Sequence, residues 1–194
     1  MVLAGGAAMD AFNFVFSLFG LLLGLSLAEV LSGFGRALWH RGAARLGWLT
    51  PLLAIFVMLD LTSFWGWAWQ ARAYIAPHYH VLLSGLVVSS LYYLAASIVF
   101  PREVGDRVDF DAHYMLRRRQ VFGAVFLCNL VGQGWATIAF ASTLRPDAWI
   151  GLALYYVLLA IGMITSSRKM SIAVLAALIG IYLEGALMGA IYPH

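Results

Sequence analysis

Charged residues are scarce in this sequence. Of its 194 residues only 11% are charged and 63% are hydrophobic, whereas soluble domains contain about 25% charged residues. The single cysteine, Cys128, lies in an apolar run, which excludes an intramolecular disulfide and a cysteine-based metal site. The first ten residues contain no Lys or Arg, so we predict no cleaved signal peptide. These absences exclude a water-soluble single domain.

Long apolar segments fill most of the remaining sequence. A helix needs about 18 apolar residues to cross the hydrocarbon of a bilayer, and six segments reach that length. We predict spans at about 11–35, 48–71, 80–100, 120–144, 148–165 and 170–192. The predicted fold class is therefore all-α, a bundle of six transmembrane helices that forms a single domain over residues 1–194.

Basic residues are distributed unevenly between the predicted loops. Ten Lys or Arg residues fall in the first, third and fifth loops, and two, Arg72 and Arg145, fall in the second and fourth. Because basic loops stay in the cytoplasm, both termini are expected on the non-cytoplasmic side and the 101–119 loop in the cytoplasm. Short basic loops also favour contact with anionic lipid headgroups rather than nucleic acid.

Three acidic residues, Glu29, Asp60 and Glu184, lie within predicted spans. An ionisable group in the middle of a membrane helix costs about 2.5 to 3.5 kcal/mol on insertion scales. No Lys or Arg lies inside a predicted span. Each acid must therefore be protonated, bind a cation, face water, or pair with another subunit. Their spacing predicts a staggered ladder from the cytoplasmic third to just past the midplane.

Neutral polar residues at similar depths extend this prediction. Asn129 and Gln133 share a face of the fourth span and are expected to supply dipoles near the acids. Arg36 and His40 continue the polar stripe of the first span and are expected to shape a cytoplasmic mouth. The alternative is that the neutral groups simply join helices, at about 0.6 kcal/mol per contact.

The third loop contains Arg117, Arg118 and Arg119, which we predict to contact lipid headgroups. The simplest interpretation of this loop is a solvated linker beside the membrane, with Asp109 or Asp111 capping a short helix. Asp109, Asp111 and His113 are also potential metal ligands. Their spacing brings them to one face only on a strand, and on a helix they diverge, so the sequence identifies no particular metal.

The leading hypothesis is a small channel or transporter that moves protons or small cations past Glu29, Asp60 and Glu184. The alternative is a non-catalytic membrane subunit or scaffold whose acids pair with a partner protein or lipid. A lipid-acting enzyme using Glu29 or Asp60 as a base is a third hypothesis, without a supporting motif. No cofactor is predicted, because no histidine lies in the interior of a predicted span, where it could bind haem. Conduction by so small a chain favours a homo-oligomer.

Two sequence runs, 25–31 (Leu-Ser-Leu-Ala-Glu-Val-Leu) and 59–65 (Leu-Asp-Leu-Thr-Ser-Phe-Trp), resemble bacterial inner-membrane proteins in general style. The resemblance implies a multi-pass protein of the bacterial inner membrane and adds no activity to the prediction.

Overall fold

The computed structural model describes residues 2–39, 47–72, 75, 78–102, 108–139 and 146–191, with side chains from Phe12 onward in the first helix. Within these ranges the chain is all-helical, with six helices and no strand. The helices are α1 (Val2–Trp39), α2 (Leu49–Gln70), α3 (Tyr79–Val99), α4 (Phe110–Ala139), α5 (Pro146–Ile164) and α6 (Arg168–Ile191).

Four of the described helices are long and apolar enough to cross a membrane. The qualifying segments are Phe12–Trp39, Leu49–Gln70, Tyr79–Val99 and Arg168–Ala190, and Ala148–Ile164 is a shorter apolar helix. Many large apolar side chains point outward, including Leu21, Leu86 and Leu187. A soluble protein buries such surface, so the composition and the exposed apolar faces together indicate a membrane protein.

Helix α4 differs most from the span predicted at this point of the sequence. It begins at Phe110, ten residues before the expected start at 120. Asp109 caps it, because its side chain accepts hydrogen bonds from the backbone N–H groups of Asp111 (2.9 Å) and Ala112 (3.1 Å). Phe110 and Tyr114 are fully buried. The predicted capping of a helix by Asp109 is therefore confirmed, whereas the interpretation of the segment as a solvated linker is wrong from Phe110 onward.

Helix α2 has a central place in the bundle, in contact with α1, α3, α4 and α6. Helix α3 packs between α1 and α4, and α5 packs against α4 and α6. Phe56 of α2 is fully buried and stacks on Phe122 of α4, with ring centroids 5.7 Å apart. Aromatic and aliphatic side chains of this kind form the main core, and α2 carries its polar residue Asp60 into that interior.

Asp111 connects the starts of α2, α4 and α6 at one end of the bundle. Its Oδ1 accepts a hydrogen bond from the backbone N–H of Leu49 at 3.0 Å, at the start of α2. Its Oδ2 lies 2.5 Å from Nη2 of Arg168, the first residue of α6. Nearby, the Thr50 hydroxyl donates to the Phe110 carbonyl at 2.6 Å. These contacts fix the starts of α2, α4 and α6 relative to one another.

Candidate functional site

Asp60 lies near the middle of α2 and is completely buried. At about 1.5 Å per residue it is about 16 Å from the start of the helix and about 15 Å from its end. An isolated carboxylate at such a position is strongly disfavoured, so its surroundings must satisfy its oxygens. Asp60 is therefore the leading candidate for a functional group.

Four neutral groups donate hydrogen bonds to the Asp60 carboxyl, each from a different helix. The Tyr92 hydroxyl of α3 donates to Oδ2 at 2.8 Å. Asn129 Nδ2 of α4 donates to Oδ1 at 3.0 Å and approaches Oδ2 at 3.3 Å. The hydroxyls of Tyr155 (α5) and Tyr182 (α6) donate to Oδ1, the former at 2.6 Å. We call Asp60 and these four residues the Asp60 cluster; it joins five helices.

The donors of the Asp60 cluster match the capacity of a carboxylate, which has about four acceptor positions. Within the described residues, however, no cation lies within ion-pair distance of Asp60. The hydrogen bonds therefore disperse its negative charge without neutralising it. Three donors converge on Oδ1 and one donates to Oδ2, so a metal cation would have to displace donors to reach Oδ1, whereas a proton needs only one oxygen.

Asp60, Tyr155 and Tyr182 form a triangle of oxygens with three contacts. The two tyrosine hydroxyls are also 3.0 Å from each other, and each carries one hydrogen. With Asp60 ionised, two hydroxyl hydrogens serve three contacts. With Asp60 protonated, its O–H donates to one tyrosine, that tyrosine donates to the other, and the second donates back to Asp60. The triangle thus accommodates an added proton by rotating hydroxyl groups.

Aromatic packing holds the tyrosine rings in place. Tyr182 lies beside Phe56 of α2 at a centroid distance of 6.3 Å and edge-on to Tyr155 at 6.1 Å. Tyr92 contacts Phe64 edge-on at 5.9 Å. Asn129 is oriented by a further hydrogen bond from its Nδ2 to the Val125 carbonyl at 3.0 Å. Because the rings are fixed by their neighbours, the hydroxyls face the carboxyl without a large entropic cost.

The structure brings together two of the five residues predicted for the ion pathway, Asp60 and Asn129. Gln133 lies on α4, but its side chain is outside the described residues, as is all of His40. Sequence reasoning missed Tyr155 and Tyr182 as partners of Asp60. The sequence does contain a clue to these partners, because both tyrosines lie within apolar helices and a buried tyrosine hydroxyl needs a hydrogen-bond partner.

The other two acids lie apart from the Asp60 cluster. Glu29 is about one-third exposed, with Oε1 3.9 Å from Nη2 of Arg36, the basic residue predicted at the cytoplasmic mouth. Arg36 also donates to Ser32 at 2.8 Å. Glu184 is exposed on α6. None of the hydrogen bonds in the described part of the chain joins Glu29 or Glu184 to Asp60, so these three acids do not form one connected network.

The arginines predicted to contact headgroups have three different environments. Arg117 is half-buried and donates to Gln120 at 3.1 Å, Arg119 is exposed, and Arg118 is only 7% exposed. Arg118 turns toward the junction of α5 and α6, where its Nη2 lies 3.2 Å from the Ser166 hydroxyl. Helical spacing explains this result, because consecutive residues point in different directions around a helix.

The three residues considered as metal ligands have separate roles. Asp109 caps α4 and Asp111 pairs with Arg168. His113 places Nε2 3.0 Å from the Ile98 carbonyl, and burial lowers the pKa of His113 although this hydrogen bond acts in the opposite direction. Among the residues that the structure describes, no three His, Cys, Asp or Glu side chains are grouped to hold a metal ion.

A cavity of about 400 Å³ lies between α1, α2, α3 and α4. Phe19, Phe64 and Trp67 form much of its apolar lining, and His80 and Ser84 are among its polar residues. Its size is within the range of small-molecule pockets. Phe64 both lines the cavity and contacts the ring of Tyr92, a member of the Asp60 cluster.

Comparisons with known proteins found no protein family, no curated protein and no solved structure that matches this chain.

Proposed function

We propose that this chain is a multi-pass membrane protein that moves protons, with Asp60 as the group that binds and releases them. The observation that carries the proposal is a fully buried carboxyl whose described partners are four neutral hydrogen-bond donors. A carboxyl near mid-membrane that lacks a countercharge is typical of proton-conducting and proton-coupled proteins.

The Asp60 cluster favours protons over small cations. A sodium ion would require several oxygen atoms to turn lone pairs toward it, whereas the tyrosine hydroxyls and the Asn129 amide direct hydrogens at Asp60. Protonation requires only hydroxyl rotation within the triangle of Asp60, Tyr155 and Tyr182. Because these groups belong to α2, α5 and α6, the proton's arrival changes the contacts between three helices and is suited to coupling with their movement.

The proposed membrane arrangement has six spans, with both termini on the non-cytoplasmic side of a bacterial inner membrane. The four long apolar helices support membrane insertion. The apolar α5 and the uncharged part of α4 after Arg119 supply two further crossings in this arrangement. The orientation rests on the ten basic residues in the first, third and fifth loops against two in the others.

Neutralising Asp60 tests the proton-binding role. We expect Asp60→Asn to abolish proton flux in proteoliposomes that contain a pH dye and carry a potassium–valinomycin potential. The amide keeps the size of the side chain and, like the protonated acid, offers both an accepting oxygen and a donor, to which the tyrosine hydroxyls can adjust by rotation. The variant should therefore fold, but it cannot exchange a proton at neutral pH. Tyr182→Phe should reduce the flux by removing one corner of the triangle.

Glu184→Gln is the matched control, since it also removes one acid from an apolar helix but at an exposed position outside the Asp60 cluster. This variant should conduct like the wild type. Folding of every variant is checked by size-exclusion chromatography and circular dichroism. Unchanged flux in folded Asp60→Asn, or a folded wild type that moves no protons, would contradict the proposal.

One observation favours a second function, that of a membrane subunit with a protein partner. Glu184 is exposed on the second half of α6, together with Leu183, Leu187 and Met188. An ionisable group facing lipid is costly, and an adjoining Gly185 leaves open space for a close approach by another helix. A basic or hydroxyl-bearing residue from a partner helix, or a second copy of this chain, would satisfy Glu184.

For this second function, Glu184→Gln should abolish co-purification of the partner from membranes solubilised in mild detergent. Glu29→Gln is the control, because Glu29 already has Arg36 beside it within its own chain. Native mass spectrometry measures both outcomes. A wild-type protein that is monomeric and alone, or a Glu184→Gln variant that keeps its partner, would rule out this function for Glu184.

A further inference from the structure

A second buried polar group lies where α4 meets the connection between α5 and α6. It consists of Arg118 and Tyr114 on α4, Ser166 in the connection, and Ser171 in the first turn of α6; we call it the Arg118 cluster. Arg118 is 7% exposed, and Tyr114 and Ser171 are fully buried. Ser166 is exposed and therefore forms the outer side of the cluster.

The hydrogen bonds of the Arg118 cluster are incomplete. Arg118 Nη1 donates to the Met115 carbonyl and Nη2 to the Ser166 hydroxyl at 3.2 Å. Among the described residues, Arg118 Nε has no hydrogen-bond partner, and the buried hydroxyls of Tyr114 and Ser171 can interact only with each other. Buried polar atoms are nearly always satisfied, so a buried guanidinium with incomplete hydrogen bonds beside these two hydroxyls indicates a missing ligand.

Within the described residues, no carboxylate pairs with the charge of Arg118. The ion pairs in the described part of the chain are Glu29 with Arg36 and Asp111 with Arg168, and neither includes Arg118. An arginine stays protonated in a protein, so it cannot relieve burial by becoming neutral. A buried guanidinium without a carboxylate needs an anion from elsewhere.

The neighbouring helix end adds to the attraction for an anion. Helix α6 runs for 24 residues from Arg168, and its first backbone N–H groups have no acceptor within the helix. A helix N-terminus carries a partial positive charge that favours anions. Ser171 lies in this first turn, so its hydroxyl and the neighbouring Tyr114 hydroxyl are at the same end of the helix. Lys169 is exposed beside it.

We propose that the Arg118 cluster binds a phosphate group. The guanidinium fork of Arg118 matches two phosphate oxygens, and the hydroxyls of Tyr114 and Ser171 supply further donors. The phosphate reaches the cluster from its exposed side by replacing the Ser166 hydroxyl as the partner of Nη2. Its source is an anionic lipid headgroup or a free phosphate, since both present the same chemistry.

The test measures the melting temperature of the full-length protein in a neutral detergent, with and without a phosphate source. The probes are inorganic phosphate and, in separate samples, detergent micelles containing phosphatidylglycerol; phosphatidylcholine is the net-neutral lipid control. A rise with inorganic phosphate identifies a free phosphate site. A rise with phosphatidylglycerol alone identifies a headgroup site. No rise with either, or an equal rise with phosphatidylcholine, overturns the proposal.

Variants connect the effect to the cluster. Arg118→Gln should lose the phosphate-dependent rise, and Arg119→Gln should keep it, because Arg119 is the adjacent arginine on the same helix but is exposed. If both variants lost the phosphate-dependent rise in melting temperature to the same extent, general basic charge would explain the rise and the proposed site would be overturned.

Removing the two buried hydroxyls provides a variant that should fold even if Arg118→Gln does not. Tyr114→Phe combined with Ser171→Ala removes both partners of one buried contact together, so the unliganded protein should be about as stable as the wild type. The phosphate-dependent rise should fall severalfold, because two donors are lost. A full-size rise in the folded double variant overturns the assignment.

Discussion

At the residue scale, Gly47 has a conformation that other residues rarely adopt. Its φ is +51°, in the left-handed region, and it precedes α2 by two residues. A Cβ atom at this position would lie 2.1 Å from Oδ1 of Asp111, the atom that accepts the Leu49 N–H. A side chain at position 47 would therefore be strained in its backbone conformation and would collide with Asp111, which caps α2.

We expect Gly47→Ala to destabilise the fold by at least about 1–3 kcal/mol, the cost of holding a non-glycine residue in this conformation. Displacement of Asp111 adds to that cost, because its contacts with Leu49 and Arg168 would both be strained. Thermal or denaturant unfolding in detergent measures the change.

Gly66→Ala is the control for this substitution. Gly66 lies on α2, where a Cβ would meet nothing within 4 Å, so alanine should be neutral or stabilise by up to about 1 kcal/mol through helix propensity. Equal stability of Gly47→Ala and the wild type would show that Asp111 does not depend on the space beside Gly47.

At the element scale, the start of α4 shows where hydropathy stops being informative. A search for uncharged runs begins the fourth span at 120, since Arg117, Arg118 and Arg119 interrupt the apolar pattern. The helix itself begins at Phe110, because Asp109 caps it and Phe110 and Tyr114 pack into the core. Hydropathy reports which residues tolerate lipid, whereas capping and packing decide where a helix begins.

The other element ends follow simpler rules. Helix α3 ends at Val99 as the proline rule predicts, and Phe100 has the extended backbone expected of a residue before Pro101.

Asp60 was identified from sequence because an acid within an apolar helix is conspicuous. Its partners Tyr155 and Tyr182 were not, because a helix that is apolar on all sides does not indicate which face meets which neighbour. That choice depends on how the helices pack.

At the scale of the whole molecule, the proposed orientation makes a prediction for chemical labelling. Cys128 is fully buried, so the wild type should not react with a membrane-impermeant maleimide. We expect Tyr79→Cys to react in intact cells, since Tyr79 is exposed in the proposed outer loop region. Lys169→Cys should react only after the membrane is opened, because position 169 is exposed on the proposed cytoplasmic side.

Both cysteine variants have the same buried Cys128 background, so the difference between intact and opened cells isolates the introduced thiol. The reverse pattern would place the basic loops outside and invert the proposed orientation. Labelling of both positions in intact cells would contradict the six-span arrangement.

The Asp60 cluster also has a consequence for biosynthesis. Its members are spread along the chain, and Asp60 and Tyr182 are 122 residues apart. During translation α2 emerges well before α5 and α6, since synthesis proceeds from the N-terminus. Until the last two helices arrive, Asp60 lacks the hydroxyls of Tyr155 and Tyr182. The protonation chemistry proposed for this carboxyl therefore becomes available only late in assembly, so partly synthesised chains should not make the membrane leak protons.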